Sequence, residues 1–382
     1  MTNRNNKTIL LVGGGTGGHI VPILHLRQEL LRRDNNLTVL TVGGISEIDQ
    51  KLYAGLSNHI SLRTGKLHRA VTAGNLIQLF LLCWGIFSSF ALLAKNKPSL
   101  IFSKAGYVSL PIIFWARILK IPYFIHESDI EMGAANKFAA RAAEKIFVGF
   151  PIENYPSIAK ERMEFVGQIL RPNIFANKDA KSFDFEFNNN KPIIFITGGS
   201  QGSRNINKAI FEIIDDILCD YNLIHHIGSL DYEKAIEVRA SLKNELKQSY
   251  FISPLLTKTK NNIDLMESAI LQSSLVICRA SATTLSEVSV AKKPIITIPY
   301  KYAAGNHQTK NAMYYKKNRA AMVISDDKLN GAALKKQIID LFSQPMTMKE
   351  TGEAAYRLQL VDGLSKVTDE IENFNDRKCD KI

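Results

Sequence analysis

From Thr8 onward the chain alternates short, wholly apolar runs with longer stretches of mixed character: Thr8 to Val12, a segment from about Gly18 to Arg33, then Leu37 to Val42. A short run that is apolar at every position marks a strand buried on both faces, and the longer segment has the length of a helix crossing over it, so the opening reads as β-α-β. Leu100 to Phe102, Tyr123 to Ile125 and Lys145 to Val148 continue the rhythm. The pattern predicts a parallel sheet covered by helices on both faces. Between Ile174 and Asn190 the chain turns polar and irregular, as a linker or surface loop does. The cycle then restarts, with Pro192 to Thr197 as a buried strand, Asn205 to Cys219 as a helix, and Leu223 to His226, Leu275 to Cys278 and Pro294 to Ile298 as further strands. The expected fold is α/β, with two Rossmann-like, doubly wound parallel-sheet domains, and the charged tail from Lys366 is expected to fray after a final helix.

Composition agrees with two water-soluble cores: 382 residues exceed what one core usually serves, and 46% are hydrophobic against 22% charged. The net charge of +12 favours anionic partners such as phosphates or a phospholipid surface. No Lys/Arg-rich block with interleaved aromatics and no zinc-finger spacing occurs, which argues against nucleic acid. Cys83, Cys219, Cys278 and Cys379 lie far apart, as in a reduced cytoplasmic setting, and the apolar run at Thr8 to Val12 is too short for a signal peptide.

One segment stands out, because Val71 to Ala94 carries no charge and Leu76 to Ala94 is long enough to raise the question of a membrane helix. Gln78, Gly85, Ser88 and Ser89 weaken a full span, leaving a buried core helix or one that dips into a membrane face. Lys66, Arg69, Lys95 and Lys97 flank it, as suits an apolar surface meeting anionic headgroups.

Candidate chemistry lies where strands run into glycines or small residues. Gly13, Gly15 and Gly18 satisfy G-x-G-x-x-G between the first strand and its helix, where glycines admit close approach and a helix N-terminus offers unpaired N–H groups to an anion. The second strand ends Thr41-Val42-Gly43-Gly44, without the acidic residue that a NAD-binding domain places there. Gly198 to Gly202 repeats the device and also fits G-x-S-x-G, so a serine hydrolase with Ser200, Asp264 and His307 is an alternative. In Arg279 to Glu287 a hydroxyl-rich helix start offers Ser281, Thr283 and Thr284 to phosphate oxygens, with Glu287 a turn later suited to ribose hydroxyls. The plainer reading makes Ser281 a helix cap and puts Glu287 on a solvated face.

Taken in order and spacing, GGGTGGH, HESD, GGSQGSRNIN, RASATTLSE and NHQTKNA resemble glycosyltransferase family 28 from about residue 8 to 325. The resemblance implies a GT-B fold with a cleft between domains: residues 1–170 binding the acceptor and associating with the membrane, 171–350 binding UDP-GlcNAc, and 351–382 a C-terminal helix and charged tail packing back on the first domain. It further implies an inverting transfer of GlcNAc to the C4 hydroxyl of MurNAc in undecaprenyl-pyrophosphoryl-MurNAc-pentapeptide (lipid I), giving lipid II for peptidoglycan synthesis and so serving cell shape and division. Other GT-B lipid glycosyltransferases, a UDP-sugar epimerase and a non-catalytic nucleotide-sugar-binding protein are the alternatives.

By the same resemblance Gly14, Gly15, Ser103, Lys104, Gly106, Tyr107 and Asn136 would face the acceptor. Thr16, Gly17, Gly18, Ser200, Gln201, Ala282, Thr283 and Thr284 would meet the donor. Glu287 would hold the ribose, Arg171 would lie near the nucleoside, and Gln308, Asn311 and Asp129 would meet the sugar. His19 is the leading general base, because imidazole suits proton transfer near neutral pH, with Asp129 or Glu127 as substitutes. No Asp-x-Asp motif is placed to hold a divalent cation, so no essential cofactor or metal is expected. Leu76, Phe80, Trp84 and Phe87 would form an apolar stripe on the cytoplasmic face of the plasma membrane, with other cell-wall or division proteins as further partners. Three departures stand out: Ser281 and Ala105 replace usual glycines, and Gln168-Ile169-Leu170-Arg171 replaces the usual asparagine-proline pair before arginine. Ser281 is expected to crowd a bound pyrophosphate.

Overall fold

Two parallel sheets organise the chain. The computed structural model describes residues 8–65, 74–155, 159–171, 187, 189–199, 201–256 and 264–379; of residues 74–76 and 378–379 it describes the backbone alone. The first sheet comprises β1 (Thr8–Val12), β2 (Thr38–Gly43), β3 (His59–Ser61), β4 (Leu100–Ser103), β5 (Tyr123–Glu127), β6 (Lys145–Val148) and β7 (Met163–Phe165). Their spatial order is 3-2-1-4-5-6-7, every pair parallel. The second comprises β8 (Ile193–Thr197), β9 (Asn222–His226), β10 (Tyr250–Ser253), β11 (Leu275–Cys278), β12 (Ile295–Thr297) and β13 (Met322–Val323), in the order 10-9-8-11-12-13.

The central strands are apolar throughout because helices cover both faces: Ile9, Leu10, Leu11 and Val12 are all fully buried, as are Ile194, Phe195 and Ile196. The strands for which no run was predicted, β3, β7, β10 and β13, include all four sheet edges, where burial is incomplete and the apolar signal fades. The helix expected over Asn205 to Cys219 is two, Arg204–Phe211 and Ile214–Asp220. The break falls where Ile213 leaves helical geometry and Glu212 Oε2 accepts the Gly331 N–H at 2.7 Å, satisfying the start of another helix.

The chain divides into two compact units, Met1–Pro172 with Leu360–Ile382, and Asn173–Gln359. In the first, the Gly363–Cys379 helix completes the core that β1 and β5 begin: Val367 and Ile371 are buried among Ile9, Leu11 and Phe124, and Phe374 meets Phe124 edge-on at 5.2 Å. Arg33 pairs with Asp369 and, at 3.0 Å, Glu372. The charges after Lys366 are therefore the outer face of a packed helix, which corrects the expected fraying. The second unit has its own core around Ile194, Ile210, Leu223, Ile277 and Ile338.

Candidate active site

In each sheet the strand order reverses once, between β1 and β4 and between β8 and β11. Loops leaving the carboxyl ends of such a pair diverge to opposite faces and open a crevice, so these two points are where a ligand has room.

At the first point the loop after β1 meets the loop after β4. A Cβ on Gly106 would lie 2.9 Å from the Gly14 carbonyl oxygen and 3.2 Å from His19 Nδ1, and one on Gly15 would lie 2.8 Å from the Tyr107 ring. Gly14, Gly15, His19, Gly106 and Tyr107 are thus brought together. His19 stands in the first turn of the Gly17–Arg33 helix, with Nδ1 3.2 Å from both the Gly14 oxygen and Thr16 Oγ1. A carbonyl only accepts, so the bond to Gly14 puts the proton on Nδ1 and leaves Nε2 as the basic nitrogen of the neutral ring. Thr16 does not cap the helix with its side chain.

A residue absent from the expected set shapes this loop. Asp49, fully buried, accepts the Gly15 N–H at 3.1 and 3.2 Å and the Gly44 N–H at 2.8 Å, and also the Ser46 hydroxyl. Tyr53 donates its hydroxyl to the Gly13 oxygen at 2.6 Å. Burial, with Asp49 nearby, pushes the Tyr107 phenol up. The sequence signal for Asp49 was available in Ser46-x-x-Asp49, the spacing of a helix N-terminal box, directly after Gly43-Gly44.

Four expected site residues lie under the loops instead of on them. Ser103 and Lys104 are each 1% exposed, and the Lys104 ammonium donates to His126 Nδ1 at 2.7 Å and to the Ser128 hydroxyl. Glu127 accepts the Asp129 N–H at 3.0 Å, the Gly133 N–H at 2.9 Å and Asn136 Nδ2 at 3.0 Å, so its carboxylate is turned inward. Burial, and then Asp129, pushes the Glu127 carboxyl up. Asn136 also donates to the His126 oxygen at 3.1 Å. Asp129 is half-buried in the loop after β5, its carbonyl accepting Tyr155 Oη at 3.0 Å. Arg171 is half-buried and belongs to the first unit.

At the second point, Ser200 lies outside the described residues, and Gln201 beside it is exposed. Gly199, at φ +84°, has nothing within 4 Å of where a Cβ would stand, so the loop opens to space there. Gly202, also at positive φ, packs backbone to backbone on Gly228. Ser281 caps the Ala282–Val290 helix, accepting the Thr284 N–H at 3.4 Å and donating to Thr284 Oγ1 at 2.9 Å. Its φ of −71° asks for no glycine, and its side chain folds onto the helix. Glu287 is buried, so half of the plainer reading holds and half does not. Thr283 and Thr284 are half-buried in the first turn, Ala282 buried beside them. Gln308 Oε1 accepts the Tyr300 N–H at 2.9 Å, and Asn311, fully buried, donates to the Ala280 oxygen at 3.1 Å. Sequence reading missed the ion pair beneath: Arg279 Nη1 and Asp326 Oδ1, 2.7 Å apart and almost wholly buried, tie the end of β11 to the segment after β13.

Asp264 caps the Leu265–Gln272 helix and His307 Nδ1 donates to the Ala304 oxygen at 2.6 Å, so two of the three members of the hydrolase alternative are engaged in local structure. Among the described residues no group of three or more His, Cys, Asp or Glu is placed to hold a metal ion.

The Gly74–Asn96 helix presents two faces. Gly85, Ser89, Leu92 and Leu93 are buried, with a Cβ on Gly85 standing 2.6 Å from Thr64 Cβ, and Trp115 Nε1 donates to the Ile86 oxygen at 2.7 Å. Phe80, Trp84 and Phe87 are 68%, 56% and 72% exposed, while the side chain of Leu76 lies outside the described residues. Ile77–Asn96 is long and apolar enough to cross a membrane by length and composition, yet one side of it is packed on the protein.

Residues 9–148 match the glycosyltransferase family 28 N-terminal domain and residues 193–368 the family 28 C-terminal domain. The chain belongs to glycosyltransferase family 28. Among its family 28 relatives is the UDP-N-acetylglucosamine–N-acetylmuramyl-(pentapeptide) pyrophosphoryl-undecaprenol N-acetylglucosamine transferase of Geobacter metallireducens, 31% identical over 95% of this chain and 97% of the relative. In structure it is similar to MurG of Acinetobacter baumannii (TM-score 0.72, 21% identity, 96% of this chain and 99% of that one). It is likewise similar to CalG4, the calicheamicin glycosyltransferase (TM-score 0.70, 15% identity, 98% and 99%). At those identities the likeness establishes the fold, GT-B, and family 28 membership sets the serine hydrolase aside.

Proposed function

We propose that this chain moves GlcNAc from UDP-GlcNAc to the C4 hydroxyl of MurNAc in undecaprenyl-pyrophosphoryl-MurNAc-pentapeptide, turning lipid I into lipid II. The observation that carries the reading is the identity of 31% over nearly the whole chain to a transferase of that name, in a family 28 protein with a glycine loop at both switch points.

In this reading the acceptor oxygen attacks the anomeric carbon as the bond to UDP breaks, in one displacement that inverts the centre. His19 Nε2 takes the hydroxyl proton, since Nδ1 is committed to Gly14. Asp129 is the second candidate. Glu127 serves by shaping the loop, because three donors already hold it. The loop at Gly106 and Tyr107 receives the acceptor diphosphate, and the helix start at Thr16, Gly17 and Gly18 meets the donor.

On the donor side Gln201, with Ser200, and the first-turn groups at Ala282, Thr283 and Thr284 receive the UDP phosphates, and the helix N-terminus stabilises the charge that UDP gains on leaving. Glu287 takes the ribose and Arg171 the nucleoside side. Gln308 meets the GlcNAc hydroxyls, with Asn311 fixing the Ala280 carbonyl below. The exposed Phe80-Trp84-Phe87 stripe rests on the cytoplasmic face of the plasma membrane, where a polyprenyl-linked acceptor resides and where cell-wall synthesis proteins are the natural neighbours.

The test is UDP release from UDP-GlcNAc with and without a lipid I analogue. Release that depends on the lipid and prefers UDP-GlcNAc over UDP-GalNAc is expected; indifference to the lipid would overturn the assignment.

A further inference from the structure

Lys104 stands in the acceptor loop, yet its ammonium, at 1% residue exposure, points into the protein and meets no solvent. Its backbone N–H bonds the Val12 oxygen at 2.8 Å, which keeps the residue in line with the sheet, while the side chain runs under the end of β5. Burying an ammonium costs several kcal/mol, and an apolar residue of like volume would fill the space without that cost. Burial pulls the ammonium down to about 8, against the pull of Glu127 and Asp129. Such a charge carries orientation that packing alone does not.

The hydrogen-bond directions are settled by chemistry. An ammonium only donates, so His126 Nδ1 accepts, and His126 Nε2 must carry the proton it gives to the Gly167 oxygen at 2.9 Å. Gly167 lies in the stretch by which the chain leaves the first unit, and its positive φ brings it against the stretch by which the chain returns: a Cβ there would stand 2.8 Å from the Leu360 oxygen. Gly363 sits as tightly on the Gln168 oxygen, at 2.8 Å, and Gln168 Nε2 donates to the Ser128 oxygen at 2.8 Å. At the other end of the relay, Ala105 and Gly106 follow Lys104 at φ +67° and +87°, and Gly106 is the residue packed on Gly14 and His19.

We propose that Lys104 is a positioning residue for the transfer reaction, coupling the loop beside His19 to the exit and re-entry segments through His126 and Gly167. The inference rests on the acceptor-side reading of that loop. Loss of the ammonium frees the loop to shift against His19 and frees the Gly167 segment at the same time, so acceptor handling suffers while donor binding in the second unit does not.

Steady-state kinetics of the full chain with UDP-GlcNAc and a lipid I analogue test this for wild type, Lys104→Met, Gly167→Ala and the double variant. Each single change should raise the acceptor KM about tenfold and leave the donor KM within about twofold, and the double variant should be no worse than the poorer single one. An unchanged acceptor KM in a folded Lys104→Met protein, or additive effects, would overturn the proposal. Should Lys104→Met not fold, judged by loss of UDP binding in calorimetry, Ser128→Ala removes one acceptor from the ammonium and takes its place. Hydrogen exchange gives a reading independent of activity: Lys104→Met should speed exchange at both 103–107 and 166–168, and acceleration confined to the first segment would sink the coupling. A wild-type chain inert toward the lipid I analogue would instead count against the proposed transfer to lipid I, with the exchange result still standing.

Discussion

The carboxylate of Asp49 accepts the backbone N–H of Gly15 with both oxygens, at 3.1 and 3.2 Å. The first glycine loop therefore already grips an anion that belongs to the protein. An incoming diphosphate is left to the helix start beyond it. Asp49→Asn turns an acceptor into a donor facing the Gly15 or Gly44 N–H, and should cost about 2 kcal/mol in urea unfolding. A loss under about 0.5 kcal/mol would mean that the loop finds another partner.

Ala105 holds φ +67°, a region where an L side chain costs roughly 1 kcal/mol relative to glycine. Ala105→Gly relieves that strain but adds freedom to the unfolded chain, so a net gain of about 0.5 kcal/mol is expected. Thermal melting reads it, and destabilisation by the variant would show that the methyl group is held by packing.

Ser281 was expected to crowd a pyrophosphate, whereas its hydroxyl caps the helix through the Thr284 N–H. Ser281→Ala should cost about 1 kcal/mol, and Ser281→Gly only a few tenths. The donor KM of Ser281→Gly should stay within about twofold of wild type; a tenfold tightening would restore the crowding argument.

His225 and His226 sit neutral at the end of β9, pulled down to about 3 and about 4, chiefly by burial. Unfolded histidine titrates near 6.5, so between pH of about 6.5 and 4 the unfolded chain binds protons that the folded one refuses. Stability therefore falls as pH falls through that window, by about 3 kcal/mol for each histidine. His226→Gln should flatten the acid limb by one histidine's share, followed by urea unfolding from pH 7 to 4. An unaltered limb would mean that His226 takes up its proton as readily in the fold as in the unfolded chain.

Phe80, Trp84 and Phe87 expose more than half of their surface beside a face of the same helix that is packed. Replacing all three with Ser should lower cosedimentation with anionic liposomes at least about tenfold and leave UDP binding unchanged. Full pelleting of the variant would place the membrane contact elsewhere.

Most of the parallel-sheet architecture was readable because central strands need apolar side chains on both faces and glycine loops need backbone freedom, and both demands are written locally. The edge strands escaped, since β13 is two residues long and β3 carries His59 and Ser61. At the site, the glycine spacing after β1 pointed to the loop beside which His19 stands and the hydroxyl-rich segment to the helix start at Thr284, while Gly106 came from the family resemblance alone. Lys104, Asn136 and Asn311 were read as ligand contacts but lie beneath the loops. A polar residue beside a glycine loop looks the same in sequence whether it points up to a phosphate or down to a carbonyl. That choice is made by neighbours such as His126 and Ala280, far away in the chain.

The Gly363–Cys379 helix closes the core begun by β1, although more than three hundred residues separate them. On the ribosome, then, the half made earliest waits longest: Ile9 and Phe124 stay uncovered until Val367 and Ile371 emerge, by which time every strand of the later half has been synthesised. Translation order and order of completion run opposite ways in this protein, and a nascent chain halted before residue 360 would display the greasy side of its own opening sheet.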